Sequence, residues 1–194
     1  MKILIDNGHG KDTSGKCSPD GRLLEWLYCR EIATAIVSEL CRLGYDAERI
    51  VTEDIDIRLA ERCRRVNSIC KQVGANNVLL ISVHNNAAKS DGWHGASGWS
   101  GWVAPNASLN SKKLATLLYE EAERLHLRGN RSVPKCKYWI GNFAIVRDTD
   151  CPAVLTENLF QDNKDEVDFL LSDEGKRAIV DLHVKGIINY IKSV

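Results

Sequence analysis

Short apolar runs and longer stretches of helical periodicity alternate along the chain, with no linker, repeat or low-complexity segment between them. Lys2–Ile5 predicts a short strand that runs into the turn Asn7-Gly8-His9-Gly10, and a polar loop follows to about Arg22. From about Leu24 to Leu43, Tyr28, Ile32, Ile36, Leu40 and Leu43 mark the apolar face of a helix that Gly44 ends. Tyr45–Val51 predicts a second strand, and Ile57–Val73 a second helix ended by Gly74. Val78–Val83 is an apolar run of the kind found in buried parallel strands. Gly98–Val103, Phe143–Val146 and Ala153–Leu155 predict further short strands, the last opened by Pro152. Asn110 stands where it can cap a helix with Leu114, Leu117, Leu118 and Leu125 on its inner face. A closing helix over about Asp173 to Ile191 buries Ile179, Leu182, Ile187 and Ile191.

This alternation predicts an α/β fold: a mostly parallel central sheet of about six strands, sandwiched by helices. The length, 194 residues, suits one domain spanning residues 1–194. In open sheets of this class the functional site lies beyond the carboxyl ends of the strands.

Composition narrows the partners. Lys and Arg total 26 and Asp and Glu total 26, so the net charge is zero, which argues against a nucleic-acid duplex as the partner. No apolar run approaches the ~20 residues of a membrane-spanning helix, so no membrane insertion is expected. The first residues, Met1 to Asp6, lack the apolar core of a secretory signal and look like a strand. The cysteines number seven, an odd count with no C-x-x-C pair, and are expected to be free thiols of a protein made in the reducing cytoplasm. Cys63 and Cys70 fall on one helix face with Leu59, Val66 and Val73 and are expected in the core.

Three predicted strands end in chemistry-bearing residues. The first ends in Asp6-Asn7-Gly8-His9-Gly10, the central one in Ser82-Val83-His84-Asn85-Asn86, and a late one in Leu155-Thr156-Glu157-Asn158. Glu25, seven residues before Ile32, lies in line with the apolar stripe of the first helix, and a carboxylate facing inward needs a partner. Each residue has a structural reading of its own: a hydrogen-bonded histidine, a helix N-terminal acid, an ion-pair member. Together, His9, Glu25 and His84 with Glu157 beside them make the kit of a catalytic zinc site, although no local motif such as H-E-x-x-H is present.

The segments Ile5-Asp6-Asn7-Gly8-His9-Gly10, Glu25, Val51-Thr52-Glu53-Asp54, Ser82-Val83-His84-Asn85-Asn86-Ala87 and Phe143-Ala144-Ile145-Val146-Arg147 follow in that order. Pro152-Ala153-Val154-Leu155-Thr156-Glu157-Asn158-Leu159-Phe160 closes the series, with Asn163 after it. Over nearly the whole chain this series resembles the zinc-dependent N-acetylmuramoyl-L-alanine amidases, which include cell-separation amidases, sporulation amidases and phage endolysins. The resemblance implies that His9, Glu25 and His84 hold one zinc ion per chain and that Glu157 is the catalytic carboxylate. It implies hydrolysis of the amide between N-acetylmuramic acid and L-alanine in peptidoglycan or muropeptides, with water at the zinc as nucleophile and Glu157 as general base and then acid. There are departures: Asn7 replaces a common proline, Lys11 a frequent glycine, Glu53 a frequent arginine and Asn158 a small or apolar residue. None removes a ligand or the catalytic glutamate.

Two other functions compete: a module on the same fold that binds wall fragments without cutting them, and a related zinc peptidase or deacylase. A monomer is expected. The protein is expected to be made in the cytoplasm and to act on the cell wall, either as a lysin released through a membrane hole or after removal of an export signal, with no wall-anchoring domain beyond the last helix. His94 reads as a surface or substrate-loop residue, and His126 and His183 as structural residues on helices. Trp93, Trp99 and Trp102 read as packing before saccharide stacking, and Asn86 as a supporting residue near His84. Glu61-Arg62, Arg64-Arg65 and Lys164-Asp165-Glu166 read as solvated helix faces.

Overall fold

The computed structural model describes residues 1–194. Strands β1 (Lys2–Asn7), β2 (Asp46–Arg49), β3 (Val78–Asn86), β4 (Ser100–Val103), β5 (Trp139–Ile140) and β6 (Ala153–Phe160) form one sheet in the order β2-β1-β3-β6-β4-β5. All neighbours are parallel except β4 and β6, which are antiparallel. The helices are α1 (Glu25–Arg42), α2 (Leu59–Val73), α3 (Leu109–Arg124), α4 (Ala144–Arg147), α5 (Lys164–Leu171) and α6 (Asp173–Ile191).

The central strands are apolar on both faces because both are covered. Ile3 and Ile5 of β1 and Leu79, Ile81 and Val83 of β3 enter the larger core, where α1, α3 and α6 pack. Leu4, Val78 and Leu80 turn the other way, into a smaller core closed by Cys63, Val66 and Cys70 of α2 and Ile145 and Val146 of α4. This period of two explains why Val78–Val83 carries almost no polar residue. All seven cysteines are free, and Cys63 and Cys70 are buried as expected.

The α/β sandwich and its six strands match the expectation, and the closing helix has the bounds read from the sequence. Four local readings are corrected. Phe143–Val146 is not a strand: Ala144–Arg147 is one helical turn, and a four-residue apolar run does not distinguish the two. The sixth strand is instead Trp139–Ile140, paired with Trp102 and Val103. The cap of α3 is Ser108, whose Oγ accepts from the Ser111 N–H at 3.1 Å, two residues before Asn110. Lys164-Asp165-Glu166 is helical, as read, but opens a helix that runs to Leu171 with Val167 and Leu170 buried; Asn163 caps it, its Oδ1 accepting from Asp165 and Glu166 N–H at 3.1 and 3.2 Å.

Strands β3 and β6 both run further than their apolar runs, to Asn86 and Phe160. His84 and Glu157 therefore sit within paired strand, opposite one another in register, just before a shift between His84 and Asn86.

Candidate metal centre and its crevice

The first turn after β1 is built for close approach. The Gly8 N–H donates to Val83 O at 2.9 Å, and a Cβ on Gly8 would run into the His84 ring. His9 then adopts φ 59°, a left-handed conformation that non-glycine residues rarely take. Its carbonyl is gripped from two helices, by Arg30 Nη1 at 2.9 Å and Arg62 Nη2 at 3.3 Å. Glu25 opens α1, where its N–H donates to Lys16 O at 3.0 Å.

These elements bring His9, Glu25 and His84 together. One nitrogen from each histidine and one Glu25 oxygen all lie within 4.8 Å of one another. His9 Nε2 is 3.4 Å and His84 Nδ1 3.2 Å from the same Glu25 Oε1, and the two rings stand at 87°. Glu25 is 1% exposed, whereas the histidine side chains keep 19% and 17% open, so the cluster is reachable from one side. Two imidazole nitrogens and a carboxylate oxygen facing an open crevice are a donor set that suits a divalent transition metal such as zinc.

The cluster is electrostatically tight. Burial would raise the Glu25 pKa, but the hydrogen bonds and charges of His84 and His9 outweigh it and hold the carboxylate well below its ordinary range. Burial pulls His84 down, yet the Glu25 carboxylate holds it above its ordinary value. Further donors orient Glu25: the Asn85 N–H reaches Oε1 at 3.1 Å, and Gln161 Nε2 reaches Oε2 at 3.3 Å. Such outer partners fix a ligand's orientation in metal sites.

Glu157 lines the same crevice, a cavity of about 480 Å³ shared with His9, Glu25, His84, Lys16, Leu59, Phe143 and Arg147. Burial raises its pKa to about 7, with His84 opposing the shift and Glu25 adding to it. Its Oε2 is buried and has no hydrogen-bond partner.

Several residues behave differently from their sequence reading. Arg62 is not on a solvated face: its side chain is 3% exposed and bonds Asp6 Oδ1 at 2.7 Å and Asp56 Oδ1 at 2.9 Å. Its inward turn is possible because Asp6, held also by Ser82 Oγ at 2.6 Å, supplies the opposite charge from the strand below. Arg65 reaches Glu53 at 2.7 Å, which gives that departure from the family pattern a partner. Glu166 also turns inward and accepts from the Phe160 and Gly98 N–H groups, both at 2.7 Å. Asn158, another departure, is buried and fully engaged: Oδ1 accepts from Trp99 Nε1 at 2.8 Å and Nδ2 donates to His84 O at 2.9 Å. Asn85, not Asn86, contacts Glu25, and both line the crevice.

His94 pairs with Asp91 at 2.7 Å, outside the cluster. His183 is buried on α6 beside Thr156 Oγ1 at 3.0 Å, and burial lowers its pKa to about 4. His126 is not helical but follows α3 with φ 59°. Trp99 is core, and Trp102 packs with Trp139, Phe143 and the Arg131 guanidinium. The sequence reading also missed Arg30, Gln161 and Lys16, none of which stands out from the charged and polar residues around it.

Comparison with known proteins gives the family and the fold. A family model described as N-acetylmuramoyl-L-alanine amidase matches residues 3–189. An endolysin of Bacillus phage SPP1 is 27% identical over 198 residues, covering 95% of this chain and 64% of the endolysin. The amidase CwlM of Bacillus licheniformis is 28% identical over 192 residues, covering 96% of this chain and 67% of that protein. The chain thus spans about two thirds of the length of these relatives. The fold is also that of an N-acetylmuramoyl-L-alanine amidase from Clostridium difficile 630, with a TM-score of 0.82, 23% identity, and coverage of 99% of this chain and 97% of that one.

Proposed function

This chain belongs to the N-acetylmuramoyl-L-alanine amidase family, and from that premise we propose that it hydrolyses the amide joining the lactyl group of N-acetylmuramic acid to L-alanine in peptidoglycan. The reading places one zinc ion on His9, Glu25 and His84 and assigns proton transfer to Glu157. The observation that carries it is the convergence of the His9, Glu25 and His84 donor atoms within 4.8 Å, in a crevice that Glu157 also lines.

Bound there, zinc would polarise the scissile carbonyl and lower the pKa of water to about 7. The chain's own residues then have defined tasks. Glu25, oriented by Asn85 and Gln161, keeps both imidazoles turned to one point. Glu157, whose carboxylate lines the crevice and makes no hydrogen bond within the chain, is free to take a proton from the attacking water. A pKa near 7 lets the same carboxyl give that proton to the departing alanine nitrogen, and an amine leaves poorly unless protonated. All of these residues come from one chain, and we take a single copy to be the working unit.

The role of Glu157 is separable from metal binding. Glu157→Gln should retain one zinc per chain while turnover on muropeptides falls ~100- to 10,000-fold. Near-normal peptide release by Glu157→Gln would remove the assignment, and full turnover by a zinc-free His84→Ala protein would remove the metal mechanism.

A further inference from the structure

Two of the free thiols face one another. Cys70 lies in the last turn of α2 and Cys151 in the loop that leads into β6, and both belong to the smaller core. They are 3% and 7% exposed, and their thiols are close enough to share a hydrogen bond. The main chain around them is held in place. Asn67, three residues before Cys70 on α2, donates from Nδ2 to Asp148 O at 2.9 Å, and its Oδ1 accepts from the Asp150 N–H at 2.9 Å. On the other side of Cys151, the Pro152 carbonyl accepts from the Leu80 N–H of β3 at 2.9 Å. The loop is thus pinned to α2 just before Cys151 and to the sheet just after it.

The neighbouring cysteines are placed differently. Cys63 shares the smaller core, but seven residues along a helix rise ~10 Å, beyond the ~7 Å between Cα atoms that a disulfide spans. Its Sγ turns instead to Ala144 O at 3.6 Å. Cys29 is packed in the larger core on the other face of the sheet, and Cys41 and Cys136 are exposed.

We propose that Cys70 and Cys151 form a disulfide when the folded protein meets an oxidising small-molecule disulfide, making a covalent brace between α2 and the start of β6. The chemistry is two thiol–disulfide exchanges. The thiolate of Cys151, the more exposed of the pair, attacks one sulfur of the reagent, forming a mixed disulfide and expelling one thiolate. The Cys70 thiolate then attacks Cys151 Sγ, closing the protein disulfide and expelling the second. Two protein thiols are oxidised, the reagent is reduced to two thiols, and the two protons lost by the protein go to them. Burial holds both cysteines above their ordinary pKa, so the exchange is slow near neutrality and quickens as pH rises.

The brace joins two elements that carry the candidate site. Helix α2 supplies Arg62, which holds the His9 carbonyl, and β6 supplies Glu157. The bond closes a loop of about 80 residues, which restricts the unfolded chain. This assignment is independent of the proposed amidase activity.

The test incubates the reduced protein with excess oxidised glutathione at mildly alkaline pH, alkylates the remaining thiols and reads a non-reducing digest by mass spectrometry. The expected product is one peptide pair joined through Cys70 and Cys151, two hydrogens lighter than its reduced parts and returned to them by dithiothreitol. The oxidised protein should melt ~10 °C above the reduced one. Cys70→Ala and Cys151→Ala should each abolish the cross-link and the shift, whereas Cys136→Ala should keep both. The peptide map is made on the wild-type protein, so it decides the pairing even where a core variant fails to fold. Glutathione adducts on Cys41 and Cys136 with Cys70 and Cys151 left unjoined, or a cross-link between any other pair, overturns the proposal. A Cys70–Cys151 cross-link with no rise in melting temperature overturns the brace.

Discussion

Arg62 donates to Asp6 at 2.7 Å, beneath the turn that carries His9, and both side chains are almost wholly buried. The same guanidinium also reaches Asn7 O at 2.6 Å and His9 O at 3.3 Å. One side chain of α2 thereby fixes the backbone of the turn that carries His9. Removing one member of a buried ion pair leaves the other charge unpaired, at a cost of ~3–5 kcal/mol. Arg62→Met should lower the urea midpoint correspondingly and weaken zinc binding in the folded protein. An unchanged midpoint would mean that the pair carries no stability.

Gly8 tests the close approach of the two histidines. A methyl group at this position meets the His84 ring, so one of the two histidines must move. Gly8→Ala should therefore lose zinc affinity by ~10-fold or more, in keeping with the sensitivity of metal sites to displaced ligands. Zinc titration against a competing chelator measures this, and far-ultraviolet circular dichroism checks that the fold survives. Wild-type affinity in Gly8→Ala would show that the turn tolerates a side chain.

Asn7 is buried with neither side-chain polar atom bonded. An unsatisfied buried polar group costs ~1–3 kcal/mol, so Asn7→Val should raise stability by about that amount at this β-strand position. Thermal unfolding of the two proteins at one pH decides it. A destabilised variant would show that Asn7 has partners the internal hydrogen bonds do not include.

Glu166 predicts a pH dependence. Burial raises its pKa from 4.5 to about 7, against the opposing pull of the Phe160 and Gly98 N–H groups. Between those values the folded protein holds a proton that the unfolded chain has released, so stability falls as pH rises from about 4.5 through about 7. Glu166→Gln removes the titration and leaves one backbone N–H facing an amide NH₂, so it should be less stable at acidic pH. The gap from wild type should narrow as pH rises across the window. A constant or widening gap would contradict the assignment.

The sequence carried the parts of this protein that depend on local pattern. The doubly covered β3, the amphipathic α1 and the chemistry at the ends of the apolar runs of β1, β3 and β6 were legible because period and punctuation are local properties. Glu25 was legible because a carboxylate in line with Tyr28, Ile32 and Ile36 conflicts with its own helix face. Arg62 was not, since a charge beside Glu61 and Arg64 looks solvated until Asp6, far away in sequence, is placed beneath it. Glu166 failed for the same reason: its partners are backbone N–H groups of Gly98 and Phe160, which leave no mark on composition. The two-residue β5 and four-residue α4 are too short for periodicity to separate.

The amidase activity proposed above turns on which bond is cut and on a metal proposed at His9, Glu25 and His84. Purified peptidoglycan incubated with the protein, with and without a zinc chelator, and followed by mass spectrometry of the soluble products tests both at once. Free stem peptides that begin with L-alanine should form without chelator, be abolished by it and be restored by added zinc. Release of sugar fragments or of peptides cut at any other bond, or release that persists in chelator, would contradict it.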